Sequence, residues 1–185
     1  MKDGFIKAAA ATPEIKVANC AHNAQAIITQ IERAAQKGAS LISFPELCIT
    51  GYTCADLFLQ RTLLDDAERA LAEIACKTAS LDIVSVAGLP VRCANALYNC
   101  AAVVYHGEIM GLVPKKNIPV YSEFYESRHF SPGEDAAEAV ICGRKVELSP
   151  NLLFRCKSLP DFVLGVEVCE DLWVCLLYTS PSPRD

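Results

Sequence analysis

The sequence predicts an α/β fold in which helices cover one face of a sheet and the opposite face needs a partner sheet. Two amphipathic helical stripes alternate with short apolar runs up to Gly88, and strand-like runs around a hairpin turn follow. A balance of 52% hydrophobic and 21% charged residues in 185 suits one ordered domain with a sizeable core.

Residues 5–11 (FIKAAAA) read as a short buried strand, followed by a turn at Thr12 and Pro13. Ala24, Ile27, Ile28, Ile31, Ala34 and Ala35 recur at helical spacing, with Gly38 as the stop signal, so a helix lays this stripe on the sheet. Leu41 to Phe44 is a brief strand whose exit is marked by Pro45, which cannot donate a ladder hydrogen bond; Glu46 therefore stands at a strand end. Leu64, Ala67, Ala70, Leu71, Ile74 and Ala75 write a second helix, leading to a buried strand from Asp82 to Gly88. Leu97 to Tyr105 and Glu108 to Val113 flank His106-Gly107 as a hairpin, with Lys115 just beyond. Tyr121 to Phe130 reads as briefly helical or irregular. Val140 to Leu148 and Leu152 to Cys156 read as further strands, and Phe162 to Val168 as a fully buried strand ended by Cys169.

A net charge of -5 and a pI near 5.2, without a Lys/Arg run longer than two, argue against a polyanion-binding surface, so no nucleic-acid partner is expected. No apolar run reaches the roughly 18 residues that a bilayer span needs, and Asp3 and Lys7 break the N-terminal segment. Neither membrane nor secretory signal is expected, and the chain reads as cytoplasmic. The ten cysteines sit in apolar patterns such as FPELCIT and LYNCAAVVY, most of them as buried thiols rather than a disulfide scaffold. No Cys-x-x-Cys pair occurs and His22, His106 and His129 lack ligand spacing, so no metal site is expected.

Glu46, Lys115 and Cys169 each follow an apolar strand closely, which allows one sheet edge to gather them. Singly, each has a plainer reading: a surface carboxylate, a solvated lysine, one more buried thiol. Their contexts decide otherwise. FPELCITGY, PKKNIPVYSEFYE and GVEVCEDLW resemble, in the same order, the three signature segments of the nitrilase (carbon-nitrogen hydrolase) superfamily. Within it, GYTCADLF, EFYESRHF and VCEDLWV are most similar to the glutaminase domains of glutamine-dependent NAD synthetases, and the resemblance covers nearly all of residues 4–174. Ala55 departs from the pattern, standing where the family segment CGDLF has Gly.

The resemblance implies a nitrilase-like α-β-β-α sandwich, incomplete at the C-terminus, with residues 1–174 the N-terminal part of a glutaminase domain. It makes Cys169 the nucleophile, Glu46 the general base and Lys115, directly after the proline, the oxyanion stabiliser. Neighbours on extended backbone point opposite ways, which leaves Lys116 at the surface. A carboxamide is a poor electrophile, and its cleavage asks for these three types: a thiolate-strength nucleophile, a proton carrier for the leaving ammonia, and fixed positive charge. The Lys115 ammonium is expected to lower the thiol pKa, and the Glu170 backbone N–H to be a second oxyanion donor. Glu123 matches a superfamily glutamate that buttresses the lysine and positions substrate. Tyr52, Tyr121, Glu170 and Trp173 are candidates for contacting glutamine or closing the pocket, although core packing explains each aromatic equally well.

The implied partners are glutamine and a C-terminal synthetase domain of the same full-length chain, which would use ATP and Mg to amidate nicotinic acid adenine dinucleotide. A homo-oligomer is also implied, and the glutaminase part needs no cofactor. A free-standing amidase, carbamoylase or ω-amidase, or a non-catalytic interaction module, are the other readings. From Cys175 the chain reads CLLYTSPSPRD, which resembles a translated sequencing adapter, so residues 175–185 are expected not to be native. Truncation this close to Cys169 would leave sheet edges unpaired and apolar surface bare, which predicts an inactive, aggregating fragment.

Overall fold

A computed structural model describes residues 5–133 and 136–174; the expectation of a non-native tail over 175–185 lies outside them. Strands β1 (Ala8–Ala10), β2 (Leu41–Ser43) and β3 (Val84–Cys93) run parallel, connected through helices α1 (Cys20–Gln36) and α2 (Arg61–Thr78). β4 (Ala96–Tyr105) and β5 (Glu108–Pro114) continue the sheet antiparallel. A hairpin of β6 (Ala137–Ile141) and β7 (Arg144–Leu148) then joins through β7 beside β5, giving the order β1-β2-β3-β4-β5-β7-β6. A separate ribbon pairs β8 (Leu153–Arg155) with β9 (Val163–Gly165), and a single turn, α3 (Asp171–Val174), ends the described chain.

The period-two alternation of the central strands sorts their side chains to two faces. Ile42, Ala87, Leu89, Cys100, Ala102, Val104 and Leu112 join the buried stripes of α1 and α2 in the main core. Val86, Ala101, Val103 and Val113 face the other way, under Phe154 and Leu164 of the β8–β9 ribbon. The ribbon thus stands where a second sheet was expected, and the cluster it joins takes in residues of β2, β3, β4 and β5.

This limited cover explains two departures from the sequence reading. β1 is a partly exposed edge strand rather than a buried one, and β9 is three residues with alternating exposure rather than a fully buried run from Phe162 to Val168. Other differences are local. Thr12 and Pro13 form no turn, and the turn before α1 falls at Val17 and Ala18, with Ala18 at φ 60°. β3 does not stop at Gly88 but runs through Pro90 to Cys93; β2 pairing ends at Val86, so the missing N–H of Pro90 removes no bond on that side. Val140 to Leu148 is not one strand but parts of two, folded at Cys142 and Gly143. Four of the nine described cysteines, Cys20, Cys48, Cys54 and Cys100, are buried, so burial is not the rule for the thiols.

The hairpin at His106-Gly107 forms as expected, with both residues at positive φ (47° and 80°), the geometry that matches strand twist in a two-residue turn. Asn19 caps α1 by accepting from the His22 N–H. The buried Asn23 side chain donates to the Ile49 carbonyl, tying α1 to the loop that carries Glu46.

Candidate active site

Glu46 leaves β2 through Phe44 and Pro45, and the next residue, Leu47, turns the chain at φ 51° while its own side chain is fully buried. The turn is held by bonds from the Cys48 N–H to Pro45 and from the Ile49 N–H to the Gly88 carbonyl of β3. Gly88 has no side chain because none fits: a Cβ there would lie 3.0 Å from the Glu46 carbonyl carbon and 3.1 Å from Leu47 Cα. Lys115 follows β5 directly, its backbone N–H donating to the Asn99 carbonyl of β4 at 2.8 Å. Its side chain is 0% exposed, whereas Lys116 is exposed. Cys169 stands four residues beyond β9, on a left-handed turn at φ 51°. Such backbone is costly for a residue with a Cβ and persists only where neighbours enforce it.

The three elements converge. Lys115 Nζ donates to Glu46 Oε1 at 2.8 Å and to Glu126 Oε1 at 2.7 Å, and Tyr52 OH donates to Glu126 Oε1 at 2.8 Å. Asn99 Nδ2 donates to Glu46 Oε1 at 2.5 Å and, at a longer 3.4 Å, to Glu126 Oε2. Burial pulls the Lys115 ammonium down, but the bonds to Glu126 and Glu46 and their charges outweigh it, and its pKa is raised overall. The two carboxylates thus favour its charged form.

The Lys115 ammonium lowers the Cys169 thiol as expected, but the net pKa is raised, against the expectation of a favoured thiolate. Lost hydration against the protein wall is the largest cause, the Glu46 charge adds to it, and Lys115 only partly offsets the two. The resting nucleophile is therefore a protonated thiol beside a carboxylate. Among the described residues, no acceptor takes the Glu170 backbone N–H, which leaves that donor free beside the nucleophile.

The other expected site residues divide. Tyr52 is in the network through Glu126. Tyr121 OH donates to the Glu170 carboxylate at 2.9 Å, an exposed pair of which Glu170 is next to the nucleophile in sequence. Trp173 is 68% exposed on α3. Glu123 does not hold the lysine; it is exposed, and the second carboxylate on Lys115 is Glu126, 5% exposed at the start of the helical turn Glu126–Arg128. The irregular path from Asn117 to Tyr125 carries Glu123 outward and brings Glu126 in.

Glu126, Asn99 and Asp171 escaped the sequence reading. Asp171, two residues past the nucleophile and buried, accepts from the Lys116 N–H at 3.1 and 3.2 Å, the Asn117 N–H at 2.7 Å and Asn117 Nδ2 at 2.9 Å. It bolts the nucleophile turn to the segment that follows the lysine. Its place in the acidic run CEDLW was the only available signal.

The segments GYTCADLF and EFYESRHF pack on each other. Phe58 meets Phe130 edge-on at 4.9 Å, and Asp56 takes a two-pronged bond from Arg128 and a third from His129. Arg128 first, then His129, holds the Asp56 carboxyl at about 2. Beside it Ala55 sits at φ 49°, ψ -133°, backbone that only glycine adopts freely.

A cavity of about 250 Å³ opens between Glu46, Cys169, Gly88, Ala101 and Val166, large enough for an amide side chain. A larger one of about 490 Å³ between the starts of α1 and α2, beside Asp66 and Arg69, is lined by none of the site residues. Among the described residues, no three His, Cys, Asp or Glu side chains gather as a metal-ligand set, and no helix is long and apolar enough to cross a membrane.

The sequence profile of the carbon-nitrogen hydrolase family matches residues 7–180. Glutamine-dependent NAD(+) synthetases of Mycobacterium tuberculosis and Xylella fastidiosa are 40% and 33% identical over 172 and 170 residues, 92% and 91% of this chain. The chain spans only about a quarter of their length, 25% and 28%. The crystal structure of a glutamine-dependent NAD(+) synthetase from Cytophaga hutchinsonii superposes with a TM-score of 0.81 at 30% identity, over 89% of this chain and 28% of that one. An amidase from Nesterenkonia sp. superposes with a TM-score of 0.60 at 25% identity, over 80% of this chain and 56% of that one. The fold, with a buried lysine between two glutamates near a cysteine on a tight turn, and a profile match over nearly its whole length place the chain in the carbon-nitrogen hydrolase family.

Proposed function

We propose that the chain hydrolyses the side-chain amide of glutamine through a Cys169 thioester and supplies the ammonia to an ATP- and Mg-dependent synthetase domain of the same full-length protein, which amidates nicotinic acid adenine dinucleotide in the cytoplasm. The observation that carries the chemistry is the fully buried Lys115, charged and held between Glu46 and Glu126 beside Cys169. The likeness to glutamine-dependent synthetases supports the choice of glutamine and of the partner domain.

Because the thiol rests protonated, its proton passes to Glu46 as sulfur attacks the amide carbon. The developing oxyanion meets the Lys115 ammonium and the free Glu170 N–H. Glu46 returns the proton to the departing ammonia, then activates the water that splits the thioester to glutamate. Tyr52, Tyr121, Glu170 and Trp173 are proposed to contact the amino-acid end of glutamine or close over it, and Glu123 to act only from the exposed rim.

The test is ammonia and glutamate release from glutamine by the full-length protein carrying this sequence. Lys115→Ala should cost about 2.7–4 kcal/mol of transition-state stabilisation, a loss of about 100- to 1,000-fold in kcat. Activity within a few-fold of wild type would remove Lys115 from this role. Glutamine-dependent formation of NAD requiring ATP separates this reading from that of a free-standing amidase, which would hydrolyse amides and make no NAD.

A further inference from the structure

We propose that Asn99 is a positioning residue that fixes which oxygen of Glu46 receives the thiol proton. The inference rests on the proposed role of Glu46 as base and adds a residue with no contact to the substrate.

Asn99 lies within β4 and is 1% exposed. Its two amide hydrogens serve the two carboxylates, one toward Glu46 Oε1 and one toward Glu126 Oε2. Its backbone carbonyl holds the Lys115 N–H, so one residue reaches all three charged groups of the cluster. The formal charge there is one ammonium against two carboxylates. The neutral amide supplies the donor that the single lysine lacks, and it lets two like charges share a buried site.

The oxygens are not equivalent. Both oxygens of Glu126 are engaged, Oε1 by Lys115 and Tyr52 and Oε2 by Asn99. On Glu46 both donors converge on Oε1. Among the described residues, no nitrogen donor reaches Glu46 Oε2, and it is the carboxylate oxygen of the cluster left to take a proton from the neighbouring Cys169 thiol. An oxygen already bonded to an ammonium and an amide N–H is the poorer acceptor. Asn99 and Lys115 together thus reserve Oε2 for the thiol.

The amide has no alternative orientation, since turning it over would set its carbonyl against two carboxylates. In the orientation observed, Asn99 Oδ1 is buried without a hydrogen-bond partner among the described residues. A buried orphan acceptor destabilises a fold. Its retention beside the ionisable cluster is explained by the work of the amino group.

The test compares wild type, Asn99→Asp and Asn99→Ser in the full-length protein, with glutaminase kcat and KM measured across pH and thermal melting as the check of folding. The Asn99→Asp substitution sets a third carboxylate against the other two, and kcat should fall about 10- to 100-fold, up to the lower end of the roughly 100- to 10,000-fold that a positioned base contributes, while KM changes little. The deficit should shrink as pH falls, because the introduced carboxyl can donate again once protonated; lost packing alone would give a deficit flat with pH. Asn99→Ser keeps one short donor, so kcat should fall with KM held. If Asn99→Asp does not fold, Asn99→Ser decides on kcat against KM. A folded variant with wild-type kcat, or an Asn99→Asp deficit independent of pH, overturns the proposal. A wild-type protein inert toward glutamine would instead overturn the reading of the site itself.

Discussion

Replacing Gly88 by alanine perturbs Glu46 without touching any ionisable group. A Cβ at this position would lie 3.0 Å from the Glu46 carbonyl carbon and 3.1 Å from Leu47 Cα, and nearer still to the Leu47 backbone nitrogen. Carbon atoms pack best at about 3.5–4.0 Å, so the Glu46–Leu47 peptide must retreat by at least about 0.5 Å, and further at the nitrogen. The Ile49 N–H to Gly88 carbonyl bond at 3.1 Å resists that retreat, so the displacement passes to the Glu46 side chain and its 2.8 Å bond to Lys115. A misplacement of about 1 Å can cost about 100-fold in rate, and overpacking typically costs about 1–3 kcal/mol in stability. The expected result is kcat/KM for glutamine reduced about 10- to 100-fold in a protein that still melts cooperatively, a few degrees lower. Activity within about threefold of wild type would show that β3 does not set the position of Glu46.

Glu46→Gln should separate acidity from catalysis. Lost hydration raises the Cys169 thiol, the Glu46 charge raises it further, and Lys115 lowers it; without that charge the lysine is less opposed. Alkylation of Cys169 by a neutral reagent should therefore rise at lower pH in the variant than in wild type, while glutamine hydrolysis is lost. An upward shift would contradict the electrostatic account. The wild-type sign also sets a stability window: a thiol raised above its ordinary value of 9.0 contributes stability below that value, lost as pH climbs through the folded-state value. Ala55→Gly should stabilise, because φ 49°, ψ -133° strains alanine by about 1–3 kcal/mol, offset in part by the entropy of a new glycine; a lower urea midpoint would refute this. Asp171→Ala removes the acceptor of three donors on Lys116 and Asn117, and kcat should drop about tenfold or more as the nucleophile turn and the lysine segment separate; unchanged kcat would make the clamp irrelevant to catalysis.

Long periodic signals made α1 and α2 legible, and their apolar stripes are buried as the spacing demands. His106-Gly107 announced its hairpin because both positions need positive φ. The β3–β4 hairpin carried no such signal: Ala94 takes φ 51° without a glycine, and Pro90 within β3 reads as a break. Glu46 and Lys115 were visible as strand ends, and Cys169 through its motif. Glu123 and Glu126 could not be told apart, because the segment holding them has no period to say which points inward. Asn99 was hidden inside the apolar run LYNCAAVVY, where a polar residue looks like an irregularity until its two carboxylate partners are in place. The thiol's acidity was misjudged because the resemblance brings the lysine to the cysteine but does not reveal that two carboxylates and lost hydration outweigh it.

General alkylation does not identify the nucleophile. Cys76 is exposed, and Cys156, whose thiol Ser158 pulls down by a hydrogen bond, is among the more acidic, while burial holds Cys48 up at about 12. The direct measurement is acid quenching of the full-length protein during glutamine turnover, followed by mass mapping of cysteine peptides. The expected result is a glutamyl thioester on the Cys169 peptide alone, and no hydrolysis by Cys169→Ala. Glutamine turnover by Cys169→Ala, or an acyl group on any other cysteine, would contradict the assignment of the nucleophile.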